Sequence, residues 1–266
     1  MLVDRALVRR IEGMFARDAA EYAYALRTID PTSLASVAEC AGGRLVYLGP
    51  GMFVNRAFGV GIDRPATATD VDMIVEFFAA RDCVAEIELC PYAHDAVRAR
   101  AVELGFGMAW FRNVYAYTLL DGHIPPLNSP VECIPVDTTN FAVWESFWVQ
   151  NSVEGPGIVQ SFARARHRKP GEHDFIVTSG SEVVAVCSMT ISGELADLGG
   201  MTTRPTFRRQ GVQAACLAHR LSVARQAGCD LAVTSADPGG ESARNIERAG
   251  FRCLYTSVGL RRSLDR

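Results

Sequence analysis

Residues 202–214 read TTRPTFRRQGVQA, and this stretch decides how the second half of the chain folds. From Val212 to Val223 the apolar residues recur with helical spacing, and the pattern continues to about residue 226. Residues 194–203 have the composition of a strand and lead into the stretch from the other side. The sequence therefore predicts a loop at a strand-to-helix junction.

This loop has the features of an anion site. Gly211 falls in the first turn of the predicted helix, where backbone N–H groups lack partners and the helix dipole adds about half a positive charge. Arg208 and Arg209 precede it, and no Asp or Glu occurs between residues 202 and 226. The pattern predicts a cradle for phosphate. The alternative is that the arginines are ordinary surface charges and the glycine only serves a turn.

The order of elements after the loop carries a family resemblance. Residues 229–236 predict a buried strand, 241–249 a short helix that stops at Gly250-Phe251, and 252–260 a further strand. This order resembles the GNAT family of acetyl-coenzyme A-dependent N-acetyltransferases. In that family the pyrophosphate of coenzyme A lies on a Gln/Arg-x-x-Gly-x-Gly/Ala loop, which residues 208–213 match except at Gln213, where Gly or Ala is usual.

The resemblance implies a set of residues that bind the acyl donor, acetyl-coenzyme A. The strand before the loop would splay from its neighbour and bind the pantetheine arm and the thioester carbonyl through its backbone. The later helix would hydrogen-bond the pantetheine amides, although its polar residues also suit a solvent-exposed face. The implied residues are Met201, Thr202, Thr203, Arg208, Arg209, Gln210, Gly211, Val212, Gln213, Ala214, Ser242 and Asn245.

Acyl transfer to an amine also requires proton transfer, because an amine is protonated at its usual pKa near ~10. Glu194 and Asp197 are the nearest upstream carboxylates, and their odd separation places them on opposite strand faces, so at most one lines a cleft. A chain of waters is the alternative. The family often protonates the thiolate from a Tyr in the helix before Gly-Phe, but that position is Ile246 here. Tyr255, Ser235 or solvent would replace it.

The acceptor is expected beside a predicted helix at 138–150. Phe141, Trp144 and Trp148 form an aromatic stripe on it, and Trp144 and Trp148 are the candidate acceptor contacts. Such a stripe also suits a hydrophobic core. The basic run at 164–169 predicts a solvated face, or a site that attracts an acidic acceptor or the 3′-phosphate of coenzyme A.

Composition excludes several other classes. The 27 basic and 30 acidic residues nearly cancel, which argues against binding nucleic acid through bulk charge. The eight cysteines and five histidines lack metal-ligand spacing, so no metal is expected and the cysteines are predicted to be reduced. Early charged residues and the lack of a long apolar run predict a cytoplasmic protein that does not bind membranes. Monomer and homodimer both stay open.

The first half of the chain repeats the element order of the second. The sequence predicts helices at 2–26, 69–80 and 94–104, a short helix from Pro31, and strands at 44–48, 53–62, 84–90 and 108–119. Leu104-Gly105-Phe106 parallels Ala249-Gly250-Phe251, which suggests duplication, although glycine after a helix is common. No Arg-x-x-Gly precedes the helix at 69–80, and its first turns carry carboxylates. This half is therefore expected not to bind coenzyme A.

The predicted fold class is α/β (α+β), with two GNAT-like domains, each a mixed, mostly antiparallel twisted sheet flanked by helices. Residues 1–120 form the degenerate domain, 121–130 a linker and 131–266 the acetyltransferase domain. The expected activity is acetyl transfer from acetyl-coenzyme A to a small-molecule or amino-acid-like amine. The alternative is an inactive acyl-coenzyme A sensor or partner-binding module. Gly59-Val-Gly61 is only a weak match to the G-x-G-x-x-G motif of dinucleotide-binding oxidoreductases, because the third glycine is missing.

Overall fold

A computed structural model describes residues 2–120, 124, 131–152 and 155–262. The chain divides into two compact units, a first unit of Met1–Asn113 with Leu254–Arg266 and a second unit of Val114–Cys253. The predicted linker at 121–130 lies outside the described residues, apart from residue 124, and the domain boundary stays a prediction. The structure groups the end of the chain with the first unit, because Val258 and Leu260 pair with Leu89 and Ile87.

The elements follow in chain order. The first nine are α1 (Arg5–Ile29), β1 (Ser36–Cys40), β2 (Gly43–Tyr47), β3 (Arg56–Phe58), α2 (Ala68–Ala79), β4 (Glu86–Leu89), α3 (Asp95–Glu103), β5 (Phe106–Thr118) and β6 (Val131–Pro135). The next are α4 (Phe141–Asn151), α5 (Pro156–Arg168), β7 (Glu172–Ser179), β8 (Glu182–Ser192), β9 (Leu195–Asp197), β10 (Met201–Thr203), α6 (Val212–Gln226), β11 (Leu231–Ala236), α7 (Glu241–Arg248) and β12 (Arg252–Arg262). A single 3₁₀ turn, Pro205–Phe207, lies between β10 and α6.

A side-chain cap explains where α2 begins. Thr67 and Asp70 form a reciprocal capping box at the start of α2, which makes Thr67 its N-cap. The predicted helix after Pro31 is wrong. The carboxylate of Asp30 accepts from both the backbone N–H and the hydroxyl of Thr32, which holds a local turn instead of a helix.

The sheet of the first unit runs in the order β1-β2-β3-β4-β12 and is antiparallel except for β3 against β4. Its strand β3 is much shorter than the predicted strand at 53–62. A core of small and aliphatic side chains around Leu45, Ile74, Phe78 and Ile87 fills the unit.

The sheet of the second unit runs in the order β11-β9-β8-β7-β6, with β10 paired to β8. Neighbouring residues on a strand face opposite sides. Phe175, Val177 and Cys187 pack on one face in the cluster that contains α6 residues, while Ile176 and Val186 pack on the other with α4 and α5 residues. The helices α4 and α5 therefore cover one face and α6 the other.

The single strand predicted at 194–203 is wrong in one respect, because it is interrupted. Residues 195–197 (β9) pair with both β8 and β11, whereas β10 pairs with β8. The residues between them, Leu198-Gly199-Gly200, belong to no strand, and Gly200 has a φ of +68°. Beyond this break the chain leaves β11, so the two strands splay as the family resemblance implied.

Two classes of feature do not occur within the described ranges. No helix there combines the length and apolarity needed to cross a bilayer. No three His, Cys, Asp or Glu side chains there form a group that could hold a metal ion.

Candidate active site

A cleft of about 650 Å³ opens in the second unit beside β10, beyond the break at which the chain stops pairing with β11. Its walls are β10, the loop at 207–211, the first turns of α6, and α7. The volume falls within the usual range for small-molecule sites. Every residue predicted to bind the acyl donor lines this cleft except Gln210, whose side-chain amide donates to the carbonyl of Thr206 at 2.8 Å.

One wall of the cleft is an open strand edge. Ser188 N–H donates to Gly200 O at 2.9 Å and Arg204 N–H donates to Val184 O at 2.9 Å, which fixes the pairing of β10 with β8. In an antiparallel ladder of this register, the N–H and C=O groups of Met201 and Thr203 point away from β8. They face the side on which no described strand pairs with β10. Arg208 Nε donates to Thr203 O at 3.3 Å, and the Met201 amide faces the opening.

The start of α6 forms the second wall and presents backbone donors. The first intrahelical bond runs from Ala215 N to Gly211 O at 3.0 Å, and no described side chain caps the helix. The amides of Val212, Gln213 and Ala214 therefore precede the hydrogen-bonded ladder. Gly211 has a φ of +80°, and a Cβ built there meets nothing within 4 Å, so the approach to these amides is open.

The loop before α6 carries positive charge and a strained residue. Arg209 has a φ of +62°, a region that non-glycine residues avoid at a cost of about 1 kcal/mol. Such conformations persist where the surroundings require them, often at ligand sites. A carboxylate also lies beside this loop, because Glu241 of α7 is 3.5 Å from Arg209. Both side chains are mostly exposed, so this pair is weak and the loop keeps a net positive charge.

Gln213, which departs from the family pattern, connects the two helical walls. Its Oε1 accepts from Asn245 Nδ2 at 2.8 Å, and Asn245 Oδ1 accepts from Arg248 at 3.2 Å. The side chain of Gln213 thus lies along the wall of the cleft. Asn245 is oriented by both neighbours and faces the same cleft.

The two candidate bases lie outside the residues that line the cleft. Glu194 is exposed in the tight turn between β8 and β9, and its carbonyl accepts from Asp230 N–H. Asp197 is partly buried at the end of β9 and pairs with Thr190, so its side chain shares the α4–α5 face of the sheet. A Cβ built on Gly199 would lie 3.5 Å from Asp197 Oδ2, which places this carboxylate at the break. The role of either residue stays a prediction.

The residues considered as proton donors to the thiolate lie in environments that do not suit that role. Ile246, in the position of the family's Tyr, is buried in the core of the second unit. Tyr255 belongs to the first unit, where its hydroxyl donates to the buried Glu12 at 2.6 Å. Burial and the Glu12 carboxylate raise the pKa of Tyr255 well above its usual range, which makes it a weak proton donor. Ser235 is partly buried on β11.

The two tryptophans of the aromatic stripe lie in different places, one in the core and the other beside the break between β9 and β10. Trp144 is fully buried in the cluster with Phe147, Ala163 and Ile176, so its ring has no surface for a ligand in this conformation. Trp148 covers the break, because a Cβ built on Gly200 would lie 2.5 Å from its Cη2 atom. Of the two candidate acceptor contacts, Trp148 is the one beside the splayed strands.

The expectation of a solvated basic face at 164–169 is wrong for part of the run. Arg166 and Lys169 are only 6% and 4% exposed, and both pair with the buried Glu172, at 2.6 and 3.3 Å. His167 Nδ1 lies 2.8 Å from Asp174. Buried charges are tolerated when they are paired in this way. The carboxylates that pair with Arg166, His167 and Lys169 lie on β7, in a different element.

Comparisons with known proteins agree with this geometry. Residues 132–251 match the sequence model of the acetyltransferase (GNAT) family. A GCN5-related N-acetyltransferase from Kribbella flavida aligns with 92% of this chain and 95% of its own, at a TM-score of 0.67 and 21% identity. Another from Sphaerobacter thermophilus aligns with 78% of this chain and 71% of its own, at a TM-score of 0.56 and 16% identity. Comparison with curated protein sequences gives no match.

A tandem GNAT protein from the clavulanic acid biosynthesis pathway also shares the fold. It aligns with 92% of this chain and 94% of its own, at a TM-score of 0.59 and 11% identity. The mixed sheet with its flanking helices is thus the GNAT fold, and the class of enzyme is an acyltransferase. Residues 132–251 carry a domain that matches the acetyltransferase (GNAT) family.

Proposed function

We propose that this chain transfers an acetyl group from acetyl-coenzyme A to the amine of a small-molecule or amino-acid-like acceptor. The observation that carries the proposal is that one cleft joins the open edge of β10 to the uncapped start of α6. The first offers backbone hydrogen bonds to an amide-rich arm and a carbonyl. The second offers amides and positive charge to a diphosphate.

The residues of the cleft fit the parts of this donor in order. The diphosphate would accept from the amides of 212–214, with Arg208 and Arg209 adding charge. The pantetheine arm would lie along β10 and toward Ser242 and Asn245. Gln213 leaves the backbone amides accessible, because its side chain is held by Asn245.

In the transfer, the bond that forms to the amine nitrogen is matched by the bond that breaks to sulfur. The amine loses a proton and its nitrogen forms a bond to the thioester carbon, while the π pair moves to the carbonyl oxygen. When the tetrahedral intermediate collapses, the C–S bond breaks and the sulfur leaves as a thiolate, which takes a proton. The Met201 amide faces the place where negative charge would develop on oxygen. For the amine proton, Asp197 is better placed than Glu194, and a water chain is the alternative.

A second function, an acyl-coenzyme A sensor without turnover, is favoured by one observation. Ile246 is a core residue, and Tyr255 donates to Glu12 in the other unit. The position that the family often uses for a proton donor is therefore filled by Ile246, whose side chain has no proton to donate. A binding module needs the cleft but not the acid.

The two functions are separated by measuring thiol release from acetyl-coenzyme A with a panel of small amines and amino acids, next to calorimetric binding of coenzyme A. The enzyme predicts binding and amine-dependent thiol release, together with an acetylated product in the mass spectrum. Binding without turnover across the panel would support the sensor. Neither binding nor turnover would contradict both.

A further inference from the structure

The three residues between β9 and β10 are held in place by hydrogen bonds to their carbonyl groups. Each carbonyl accepts from a different donor. Leu198 O accepts from Arg220 and from Thr234 Oγ1, each at 3.1 Å. Gly199 O accepts from Arg166 at 3.3 Å, and Gly200 O accepts from Ser188 N–H at 2.9 Å. The three successive peptide groups are therefore fixed in direction.

The two arginines reach the break from opposite faces of the sheet. Arg220 is 2% exposed and comes from α6, whereas Arg166 is 6% exposed and comes from α5. Arg166 is itself held by Glu172 at 2.6 Å, and its guanidinium lies over the ring of Trp148 at 5.7 Å. Neither the burial nor the orientation of Arg166 is expected of a surface residue on a basic helix.

The direction of a carbonyl sets the direction of the next amide, because C=O and N–H point opposite ways in a trans peptide. The hydrogen bond from Arg166 draws Gly199 O toward the α5 face, so Gly200 N–H is directed toward the α6 face. The bond from Ser188 to Gly200 O aims Met201 N–H at the open edge in the same way. These two amides lie next to each other at the entrance to the splay.

We propose that Arg166 is a positioning residue for acyl transfer, which aims the backbone donors of the break at the thioester carbonyl. This inference rests on the proposed function. Arg166 does not line the cleft and would touch neither donor nor acceptor. It acts through the Gly199–Gly200 peptide, with Trp148 packed over the same glycine.

The test is Arg166→Lys. A lysine keeps the positive charge beside Glu172 but lacks the planar fork that reaches Glu172 and Gly199 O together. The variant is expected to fold and to bind coenzyme A within threefold of the parent, because the phosphate loop is a separate segment. Its kcat is expected to fall at least tenfold, since loss of an aligned oxyanion donor costs about 10² to 10³. Arg164→Lys is the control, an exposed residue of the same helix whose Nε donates to Glu145 at 2.5 Å.

A spectroscopic measurement keeps the inference testable whether or not turnover is found. The infrared band of a ¹³C-labelled acetyl carbonyl is expected to shift to lower frequency when acetyl-coenzyme A binds the parent, and to return toward the free value in Arg166→Lys. If that variant does not fold, Trp148→Leu, which removes the cover from Gly200, provides the same comparison.

The inference is overturned if folded Arg166→Lys keeps kcat within twofold of the parent, or if the carbonyl band is the same in both. A parallel loss of affinity, kcat and thermal stability would also overturn it, because that pattern belongs to a structural ion pair. Failure of the proposed function is a different result. The parent would then bind acetyl-coenzyme A without turnover, and the carbonyl band would still report on Arg166. A parent that does not bind acetyl-coenzyme A would overturn both.

Discussion

Gly211 is the single residue on which the proposed phosphate loop most depends. Its φ of +80° belongs to the left-handed region that glycine adopts freely. A side chain placed there would project into open space in front of the α6 amides. The position therefore combines a backbone requirement with a requirement for access.

We expect Gly211→Asp to weaken coenzyme A binding at least tenfold, about 1.4 kcal/mol. The carboxylate would accept from the same amides as the diphosphate and would repel it. Adding Arg208→Glu is expected to abolish binding. Calorimetry with coenzyme A measures both effects.

The matched control is Gly228→Asp. Gly228 has a φ of +85° and open space around its Cβ position, but it lies just beyond the other end of α6. The two substitutions introduce the same strain and the same charge. Equal affinities in the two variants would mean that the loop does not bind the diphosphate.

At the scale of elements, α1 is joined to the sheet of the first unit through a buried carboxylate. Glu12 is 2% exposed and accepts from Tyr255 of β12. Burial, together with the nearby Glu88 of β4, raises the pKa of Glu12 to about 7, although Tyr255 and Arg112 lower it. The unfolded chain is expected to ionise near its usual value of 4.5.

This difference predicts a pH dependence of stability. The folded state holds the Glu12 proton more tightly, so its stabilisation is complete below pH 4.5 and is lost as pH rises to about 7, a change of about 3 kcal/mol. Glu12→Gln keeps the shape without the charge and should flatten this dependence. The free energy of unfolding in urea at pH 5 and pH 8 measures it. The control Glu76→Gln, at an exposed carboxylate on α2, should leave the pH dependence of the unfolding free energy unchanged. If Glu12→Gln and Glu76→Gln had equal effects, the assignment of this dependence to Glu12 would be contradicted.

The sequence predicts the helices and strands that have a clear hydrophobic pattern, such as α2, α6 and β11, to within a few residues. It also predicts the loop before α6, because Arg208 and Gly211 are neighbours in the chain; that the loop binds phosphate stays a prediction. It does not predict what depends on distant partners. The burial of Arg166 requires Glu172 and Gly199, and the place of Tyr255 requires Glu12, 243 residues away.

At the scale of the whole molecule, all eight cysteines carry reduced thiols, and Cys253 is the exposed one. Burial raises the pKa of Cys253 as it does that of Cys40, to about 11 for Cys40, so the exposure of Cys253 and not its acidity sets it apart. We expect about one thiol to react rapidly with an aromatic disulfide reagent and the rest only on denaturation. Cys253→Ser should remove the rapid phase. Several rapid thiols in the native protein would contradict the burial of Cys187 and Cys216.

A crystal structure grown with acetyl-coenzyme A tests the central claim most directly. The account predicts density for the diphosphate against the amides of 212–214 and for the thioester carbonyl against the amide of Met201. The smaller cavity of the first unit, about 320 Å³ beside Arg64 and His94, is expected to hold no donor. The account would be contradicted if no density for the diphosphate appeared beside Gly211, or if the donor were bound in the first unit instead.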